Sequence, residues 1–209
     1  MEKKKEDFVI EFKIISLGDT GVGKTSIFKR YIENNFDEDT MSTIGMSSVN
    51  KKLTLQNGKK ICLKLIDTSG QERFRAIPIN YYKNANGVLF VFAHNDKDSF
   101  DHIKEWIKLF DEYCNNKDIP KFLIGNKNDL KKFDEQENFD GFIKEHNIKR
   151  YISTSAKDNI NIAEIFKEIA EIIDPKDIKP IKETAIRLSR QKKKKKISCC
   201  TQDLGPDNR

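Results

Sequence analysis

The chain has 209 residues, 39 of them lysine or arginine and 33 aspartate or glutamate, with four cysteines. This length predicts one domain of ordinary size and a tail, and four cysteines, two of them adjacent near the end, predict no disulfide framework and a reducing cytosol. The longest apolar run, at residues 88–93, is too short to cross a bilayer, and the charged start of the chain lacks the apolar core of a signal peptide.

The positive charge is concentrated at the end of the chain. Residues 174–209 contain 11 lysines and arginines against 5 acidic residues, whereas residues 1–173 contain 28 of each. The body of the protein is therefore neutral, and we expect no basic face that binds nucleic acid. Hydrophobic periodicity also fades after residue 174, so residues 174–209 are predicted to be a flexible basic tail.

The first motif in the chain is a loop at residues 18–25 that fits the pattern G-x-x-x-x-G-K-[ST]. Loops of this type wrap the phosphates of a nucleotide with backbone N–H groups, and their glycines permit positive φ angles and close approach. We expect Lys24 to reach the β- and γ-phosphates and the Thr25 hydroxyl to ligate Mg²⁺. The predicted phosphate-binding residues are Gly18, Asp19, Thr20, Gly21, Val22, Gly23, Lys24, Thr25 and Ser26.

The sequence on either side of this loop matches the structural context that the motif requires. The apolar residues 12–17 predict a strand before the loop, and residues 26–32 predict a helix after it. The positive end of that helix would face the phosphates. The alternative is a glycine-rich turn between a strand and a helix that binds no ligand.

An antiparallel hairpin is predicted downstream of this helix. Residues 51–55 and 60–65 alternate between apolar and polar, and Asn57-Gly58 between them favours a type I′ turn. The alternation predicts that one face of the hairpin lies on the core. The candidate core-facing positions are Leu53, Leu55, Ile61, Leu63 and Leu65.

The remainder of the domain alternates between strands and helices. Strands are predicted at residues 87–93, 122–125 and 151–153, and helices at residues 77–82, 99–113, 139–146 and 160–173. Ser99 is the predicted N-cap of the second of these helices, and Trp106 within it is expected to pack in the core. This order predicts an α/β fold: a mostly parallel six-stranded sheet with one antiparallel edge strand and helices on both faces.

The polar motifs follow predicted strands, which is where ligands bind in such folds. The phosphate loop alone fits a kinase, an ATPase or a GTPase, and the cluster Asn126-Lys127-Asn128-Asp129 selects the base. The Asp129 carboxylate can accept hydrogen bonds from N1–H and the 2-amino group of guanine, and adenine offers neither. The Ala156 amide in Ser155-Ala156-Lys157 can bond to O6, and the aliphatic stem of Lys127 can lie against the base. These motifs predict GTP or GDP as the ligand.

Together these motifs resemble those of the small Ras-like GTPases, and most closely those of the Rab branch. The segments that carry the resemblance, in the order and spacing of the family, are Gly18–Ser26, Thr43-Ile44-Gly45, Asp67–Phe74, Asn126–Asp129 and Ser155–Lys157. Thr20, Arg73–Ile77 and Tyr81–Lys83 resemble Rab proteins rather than Ras. The resemblance implies a G domain of the P-loop NTPase type at residues 8–173, with an N-terminal extension at residues 1–7.

The resemblance also implies roles for five further residues. Thr43 would bring its hydroxyl to Mg²⁺ and its amide to the γ-phosphate, and Asp67 would hold Mg²⁺ through water. Phe36 would pack edgewise on the guanine, the Gly70 amide would contact the γ-phosphate, and Gln71 would orient the attacking water as the catalytic residue. Since departure of the γ-phosphate releases Thr43 and Gly70, the protein would be a switch with slow intrinsic GTP hydrolysis.

Partners follow from the same resemblance. A Rab-like regulator of vesicle traffic would be a monomer that meets an exchange factor, an activating protein and effectors, the last through Thr40–Ser48 and Gly70–Tyr82. Ser48 and Ile66 stand where Rab proteins commonly place aromatic residues, which indicates either a divergent effector surface or neutral exchanges. Ser69 replaces the usual alanine, and because serine is small we expect hydrolysis to survive.

The tail carries a lysine run, Lys192–Lys196, followed by the paired cysteines Cys199 and Cys200. Lysines near an anionic leaflet and lipid chains on the cysteines would hold the protein at the cytosolic face of an intracellular membrane. Nine residues, Thr201–Arg209, follow the cysteines, and they do not end in a C-a-a-X box. The alternatives are prenylation with the extension tolerated or trimmed, palmitoylation, and no modification, with the lysines then a solvated tail or a nuclear localisation signal.

Other functions share part of this pattern. A nucleoside-monophosphate kinase has the phosphate loop but needs an arginine-rich lid, and the seven arginines of the chain form no such cluster. A scaffold that binds GTP without hydrolysing it would not need Gln71 and Thr43. A Ras- or Ran-like GTPase of signalling or nuclear transport is a further alternative, against which the paired cysteines speak.

Overall fold

The computed structural model describes residues 8–37, 47–68, 80–116, 118–131, 133, 139–173 and 181–182. The elements in chain order are β1 (Phe8–Leu17), α1 (Lys24–Glu33), β2 (Ser47–Thr54), β3 (Lys60–Asp67), α2 (Asn80–Lys83), β4 (Gly87–Ala93), α3 (Lys97–Asp101), α4 (Ile103–Tyr113), β5 (Lys121–Asn126), α5 (Asp140–Glu145), β6 (Arg150–Ser153), α6 (Ile162–Ile172) and β7 (Ile181–Lys182).

The strands form one sheet in the order β2-β3-β1-β4-β5-β6. Strand β1 pairs in parallel with β3 and β4, as do β4 with β5 and β5 with β6, whereas β2 is antiparallel to β3. The prediction of six strands, mostly parallel with one antiparallel edge strand, is therefore confirmed. Because five strands run in one direction, their carboxyl ends lie along one edge of the sheet, and the site is built there.

The short strand β7 was not predicted. It pairs antiparallel with the start of β1, with Ile181 opposite Val9 and Lys182 opposite Phe8. A two-residue strand is too short to show any hydrophobic period, so a pattern analysis cannot find it. It lies beyond residue 173, and the predicted domain limits stay a prediction.

Two apolar layers cover the sheet. Phe12 and Ile14 of β1 pack in the layer that contains α1 and α6, whereas Ile15 and Leu17 pack in the layer that contains α4. This alternation follows from the two-residue period of a strand. Trp106 is 1% exposed within the second layer, which confirms it as a core residue. Strand β4 is buried at every position, as its uniformly apolar sequence predicts.

The β2–β3 hairpin is present, but the predicted type I′ turn is wrong. Such a turn needs positive φ angles at both central residues, whereas only Gly58 has one, at 78°. The Gly58 N–H donates to the Leu55 carbonyl at 2.9 Å, and the Asn57 side chain accepts from the Lys59 N–H at 3.0 Å. These bonds make a longer loop in which Gly58, and not Asn57, has the positive φ angle. Four of the five predicted core-facing residues are buried, and Leu53 is partly buried.

The helix predicted at residues 99–113 is divided into α3 and α4, which meet at His102. Ser99 is not its N-cap: Asp96 is, and its carboxylate accepts the Ser99 N–H at 3.3 Å. The Ser99 hydroxyl instead donates to the Asp96 carbonyl at 2.6 Å and accepts from the Ala93 N–H at 3.0 Å. It is therefore buried at the point where α3 is fastened to the end of β4.

Candidate functional site

The loop predicted to bind phosphates connects the end of β1 to the start of α1. Two of its glycines lie against the neighbouring strands. Gly18 has φ 149° and a Cβ atom there would overlap the Val91 carbonyl of β4; Gly23 has φ 96° and a Cβ atom there would overlap the Asn126 side chain of β5. The loop backbone is therefore seated directly on the sheet, with the first N–H groups of α1 beside it. This is the arrangement in which a helix N-terminus binds an anion.

The side chain of Lys24 folds back over this loop. Its Nζ donates hydrogen bonds to the carbonyl oxygens of Gly18 and Asp19, both at 2.8 Å. Lys24 is only 4% exposed, so its positive charge is held in a fixed place next to the positive end of α1. Both charges favour a negatively charged ligand, and the geometry fits the phosphates of a nucleotide.

Thr25 and Asp67 lie side by side, as the predicted magnesium site requires. The Thr25 hydroxyl donates to Asp67 Oδ2 at 2.7 Å. Asp67 ends β3 and is 4% exposed, and the Thr68 hydroxyl after it donates to the Ser16 carbonyl at 2.9 Å, which fastens this end of β3 to β1. A hydroxyl and a carboxylate are oxygen ligands of the kind that Mg²⁺ prefers, so this pair fits the ion.

The polar residues at the end of β5 and in the loops after β5 and β6 form one hydrogen-bonded unit. The Asn126 side-chain oxygen accepts the Ala156 N–H at 3.2 Å, and its nitrogen donates to the Val22 carbonyl at 2.9 Å. The Ser155 hydroxyl donates to Asp129 Oδ1 at 2.6 Å. Asn126 therefore links the base motif to the phosphate loop, and Ser155 sets the orientation of the Asp129 carboxylate.

The described site residues all lie at the same edge of the sheet or in the segments next to it. They comprise Gly18, Asp19, Thr20, Gly21, Val22, Gly23, Lys24, Thr25, Ser26, Phe36, Asp67, Asn126, Lys127, Asp129, Ser155, Ala156 and Lys157. Thr43, Gly70 and Gln71 lie outside the described residues, as do Lys192–Lys196, Cys199 and Cys200. The ligand contacts assigned to all of these residues stay predictions. Of the helices within the described ranges, none is long and apolar enough to cross a membrane.

Two residues that contact the phosphate loop were not among the predicted site residues. His102 Nδ1 lies 2.6 Å from Asp19 Oδ2, and Trp106 Nε1 donates to Asp19 Oδ1 at 2.8 Å. His102 and Trp106 are four positions apart, a spacing that places two side chains on one face of a helix. That spacing is the only sequence signal of their common role, because nothing in it names Asp19 as the partner.

Arg30 is a third residue that the motifs did not indicate. Its guanidinium carbon lies 5.8 Å from the centre of the Phe36 ring, and Phe36 itself packs partly against the first apolar layer. Arg30 stands in the last turn of α1, where a basic side chain commonly bonds to carbonyl oxygens. A basic residue near the end of a predicted helix is therefore a sequence signal for bonds to carbonyl oxygens, but it does not reveal which carbonyl oxygens Arg30 contacts.

Rab proteins commonly carry a surface cluster of aromatic residues at the positions of Ser48, Ile66 and Tyr82, and two of these three positions lie in the core here. Ile66 is 0% exposed and Tyr82 is 1% exposed, and both pack in the second apolar layer. Ser48 lies opposite Ile66 in the β2–β3 register and is only partly buried. Among these three described positions, Ser48 therefore has the most exposed side chain.

Comparison with known proteins matches residues 13–174 to the Ras family. Ras-related protein Rab-10 of Diplobatis ommata is 40% identical over 185 residues, which cover 88% of this chain and 89% of the relative. Ras-related protein Rab-13 of Bos taurus is 38% identical over 164 residues, 78% of this chain and 79% of the relative. Ras-related protein Rab-9A of Rattus norvegicus is 36% identical over 196 residues, 90% of this chain and 96% of the relative. The chain therefore belongs to the Ras family: it is a Rab-like small GTPase, a GTP hydrolase that regulates vesicle traffic.

Proposed function

We propose that this GTPase holds GTP or GDP between the phosphate loop and the loops that follow β5 and β6, and that the third phosphate sets its active state. The observation that supports this most directly is the Asn126 side chain, which bonds to the Val22 carbonyl at 2.9 Å and to the Ala156 N–H at 3.2 Å. One buried side chain thus joins the loop that fits phosphates to the loop that fits a base. A nucleotide bound across both loops meets a preformed site and loses little affinity to reorganisation.

The phosphates are bound by the N–H groups at the start of α1 and by Lys24. Thr25 and Asp67 hold Mg²⁺, with Thr43 as the further ligand that the family resemblance implies. When bound, Mg²⁺ neutralises charge on the β- and γ-phosphates. The support for this assignment is the 2.7 Å bond between Thr25 and Asp67, which places a hydroxyl and a carboxylate side by side next to the loop.

The base is selected by Asp129. Its carboxylate accepts from N1–H and the 2-amino group of guanine, and the Ser155 bond at 2.6 Å keeps it in one orientation. The Ala156 N–H, which donates to the Asn126 side-chain oxygen at 3.2 Å, is shared with O6 when guanine binds, and Phe36 packs on the edge of the ring. Adenine offers the Asp129 carboxylate neither of these two donors, and the loss of both hydrogen bonds selects against adenine.

Hydrolysis is assigned to Gln71, which orients a water molecule for in-line attack on the γ-phosphate, so that GTP and water give GDP and phosphate. The Thr43 and Gly70 amides contact only the γ-phosphate, so both flanking segments relax when it departs. The motifs supply no arginine for the γ-phosphate. Intrinsic turnover is therefore slow, and an activating protein accelerates it on the order of 10³–10⁵-fold.

The cellular part of the proposal rests on the Rab-like family membership and on the tail sequence. Effectors bind Thr40–Ser48 and Gly70–Tyr82 in the GTP state, and an exchange factor restores that state. The protein acts as a monomer at the cytosolic face of an intracellular membrane. The Lys192–Lys196 run attracts anionic lipid, and lipid chains on Cys199 and Cys200 supply the second anchoring signal.

Purified protein tests the central claim. We expect it to bind GTP and GDP far more tightly than ATP in the presence of Mg²⁺, and to release phosphate from GTP in a single turnover. Gln71→Leu should keep GTP affinity and lose most of the hydrolysis rate. Equal retention of ATP would contradict the role of Asp129, and normal hydrolysis by Gln71→Leu would contradict the role of Gln71.

A further inference from the structure

Arg30 bonds to backbone atoms on both sides of the predicted base pocket. From α1, its Nε donates to the Ala156 carbonyl at 2.8 Å and its Nη2 to the Lys157 carbonyl at 2.7 Å. Its Nη1 donates to the Asn34 carbonyl at 3.1 Å, just beyond the end of α1. One guanidinium therefore reaches three carbonyl oxygens in two segments that are remote in sequence. An arginine suits this task because its donors form a rigid planar fork.

The first of these segments is the loop that carries Ala156. It is closed by two backbone bonds between Ser155 and Ile160, at 3.2 and 2.9 Å, and the Ser155 hydroxyl accepts the Asp158 N–H at 3.0 Å. These bonds shape the loop but do not attach it to α1. Arg30 attaches it there through the carbonyl of the same residue, Ala156, whose N–H points to the base in the proposed function. Holding that carbonyl fixes the peptide group that follows Ala156.

The second segment is the end of α1 and the residues after it. Asn34 has a left-handed φ of 54°, its N–H donates to the Arg30 carbonyl at 3.0 Å, and its side chain accepts from Asn159 at 3.4 Å. Two residues later, Phe36 lies with its ring centre 5.8 Å from the Arg30 guanidinium. The chain then continues into the segment that contains Thr43. Arg30 therefore contacts both the base loop and residues 34–36, which precede the segment that contains Thr43.

We propose that Arg30 is a positioning residue that couples the base loop, residues 155–160, to the segment at residues 34–37 that leads into the switch. It rests on the proposed function, because the coupling acts on a bound guanine nucleotide. Occupancy of the base pocket orders the loop, Arg30 transmits this order to Asn34 and Phe36, and Phe36 then closes the edge of the pocket. Base recognition and the entry to the switch are thus one cooperative unit rather than two independent contacts.

The experiment compares Arg30→Gln, Arg30→Lys and the control Arg150→Gln with the wild-type protein loaded with fluorescent GDP. We expect GDP to dissociate about tenfold faster from both Arg30 variants, because hydrogen bonds from a charged donor are lost and lysine cannot span three carbonyls. Arg150 is a matched arginine whose bond, at 3.0 Å, goes to Glu168 away from the site, so its variant should match the wild type. The single-turnover hydrolysis rate at saturating GTP should also match the wild type in Arg150→Gln.

Hydrogen exchange of the GDP-loaded proteins reports the coupling itself. In Arg30→Gln, we expect protection to fall in residues 34–37 and 155–160 together, with residues 18–25 still protected. Wild-type dissociation rates in both Arg30 variants would overturn the proposal, and so would loss of protection throughout the domain or in only one of the two segments. A wild-type protein that binds no GDP would instead refute the proposed function, so the two failures are distinguishable.

Discussion

The carboxylate of Asp19 is bonded through both oxygens to helix α4 and the residue before it, with Trp106 Nε1 at 2.8 Å from one oxygen and His102 Nδ1 at 2.6 Å from the other. The backbone carbonyl of the same residue accepts from Lys24 Nζ at 2.8 Å. Asp19 therefore connects the second apolar layer of the protein to Lys24, the cation that is proposed to bind the phosphates. The position of Lys24 depends in this way on a tryptophan far along the chain.

Trp106→Phe tests this connection, since it keeps an aromatic ring in the second apolar layer but removes the N–H donor together with the five-membered ring of the indole. We expect the free energy of unfolding to fall by about 2–4 kcal/mol, because the smaller ring leaves a cavity in the core and the Asp19 carboxylate loses a donor. GDP dissociation should become several-fold faster, because the start of the phosphate loop is held less firmly. Chemical denaturation and release of fluorescent GDP measure the two effects.

Tyr113→Phe is the matched control for this change, because Tyr113 lies on the same helix and packs against Tyr82 rather than against the loop. It should leave GDP dissociation at the wild-type rate. If Trp106→Phe also left the rate unchanged, the bond to Asp19 would have no part in nucleotide retention.

Asp129→Asn tests the selection of the base. The carboxylate accepts from two donors on guanine, whereas an asparagine amide presents a donor to one of them and repels it. Xanthine carries an oxygen in place of the 2-amino group, so the same amide can donate to it. We expect GDP affinity to fall by about 10²-fold or more, with xanthosine diphosphate bound more tightly than GDP by the variant.

Competition against a fluorescent nucleotide measures this preference. Asp118→Asn is the control, because it makes the same chemical change at an exposed residue outside the site. It should bind GDP like the wild type. An Asp129→Asn protein that kept GDP and rejected the xanthine nucleotide would show that the base is read by another residue.

The sequence predicted the parts of this site that depend on local pattern. Alternating and uniformly apolar runs have a period that identifies strands, and the glycine-rich loop has a fixed spacing, so the positions of Lys24 and Asp129 followed directly. Contacts between distant segments have no such period. The bonds from Trp106 to Asp19 and from Arg30 to Ala156 join residues far apart in the chain, and each requires the folded sheet to bring its partners together.

The same distinction explains the errors. Asn57-Gly58 favours a type I′ turn on statistics alone, but the Asn57 side chain bonds to the Lys59 N–H and stabilises a longer loop. Ser99 is a good cap by residue type, yet Asp96 is placed three residues earlier and its carboxylate reaches the helix N–H. In both cases a side-chain bond decided between two local structures that the pattern permits equally.

Gly23→Ala and Gly21→Ala separate steric overlap from backbone strain in the phosphate loop. Both glycines have positive φ angles, 96° and 80°, so an alanine is strained at either position by about 1–2 kcal/mol. Only at Gly23 does the new methyl group overlap a neighbour, the Asn126 side chain, whereas no atom lies within 4 Å at Gly21.

We therefore expect Gly23→Ala to lose nucleotide binding and Gly21→Ala to keep it with reduced affinity. Equilibrium binding of fluorescent GDP to the folded variants gives the comparison, with circular dichroism to show that each is folded. Equal losses at the two positions would mean that strain alone accounts for the effect, and that the approach of Asn126 to the loop is not required.

Lys13 gives the protein a pH-dependent stability that does not involve the nucleotide. Burial lowers the pKa of Lys13 from its ordinary 10.5 to about 8, and the charge of the cross-strand neighbour Lys64 acts in the same direction. The carboxylate of Glu11 raises the pKa, but by less than the other two effects lower it. Between pH 8 and 10.5 the unfolded chain therefore holds a proton that the folded chain has released. Stability rises with pH wherever the unfolded state binds more protons, so this residue makes the protein more stable as the pH rises through that window.

Lys13→Met removes this contribution. We expect the free energy of unfolding to increase less between pH 8 and pH 10 in the variant than in the wild type, with the variant the more stable of the two at pH 7. Tyr31, whose pKa burial raises to about 12, acts in the opposite direction only above pH 10, so it does not affect the comparison. Lys60→Met, at an exposed position of the neighbouring strand β3, should follow the wild-type curve. Parallel curves for Lys13→Met and the wild type would show that Lys13 keeps its proton in the folded protein throughout this range.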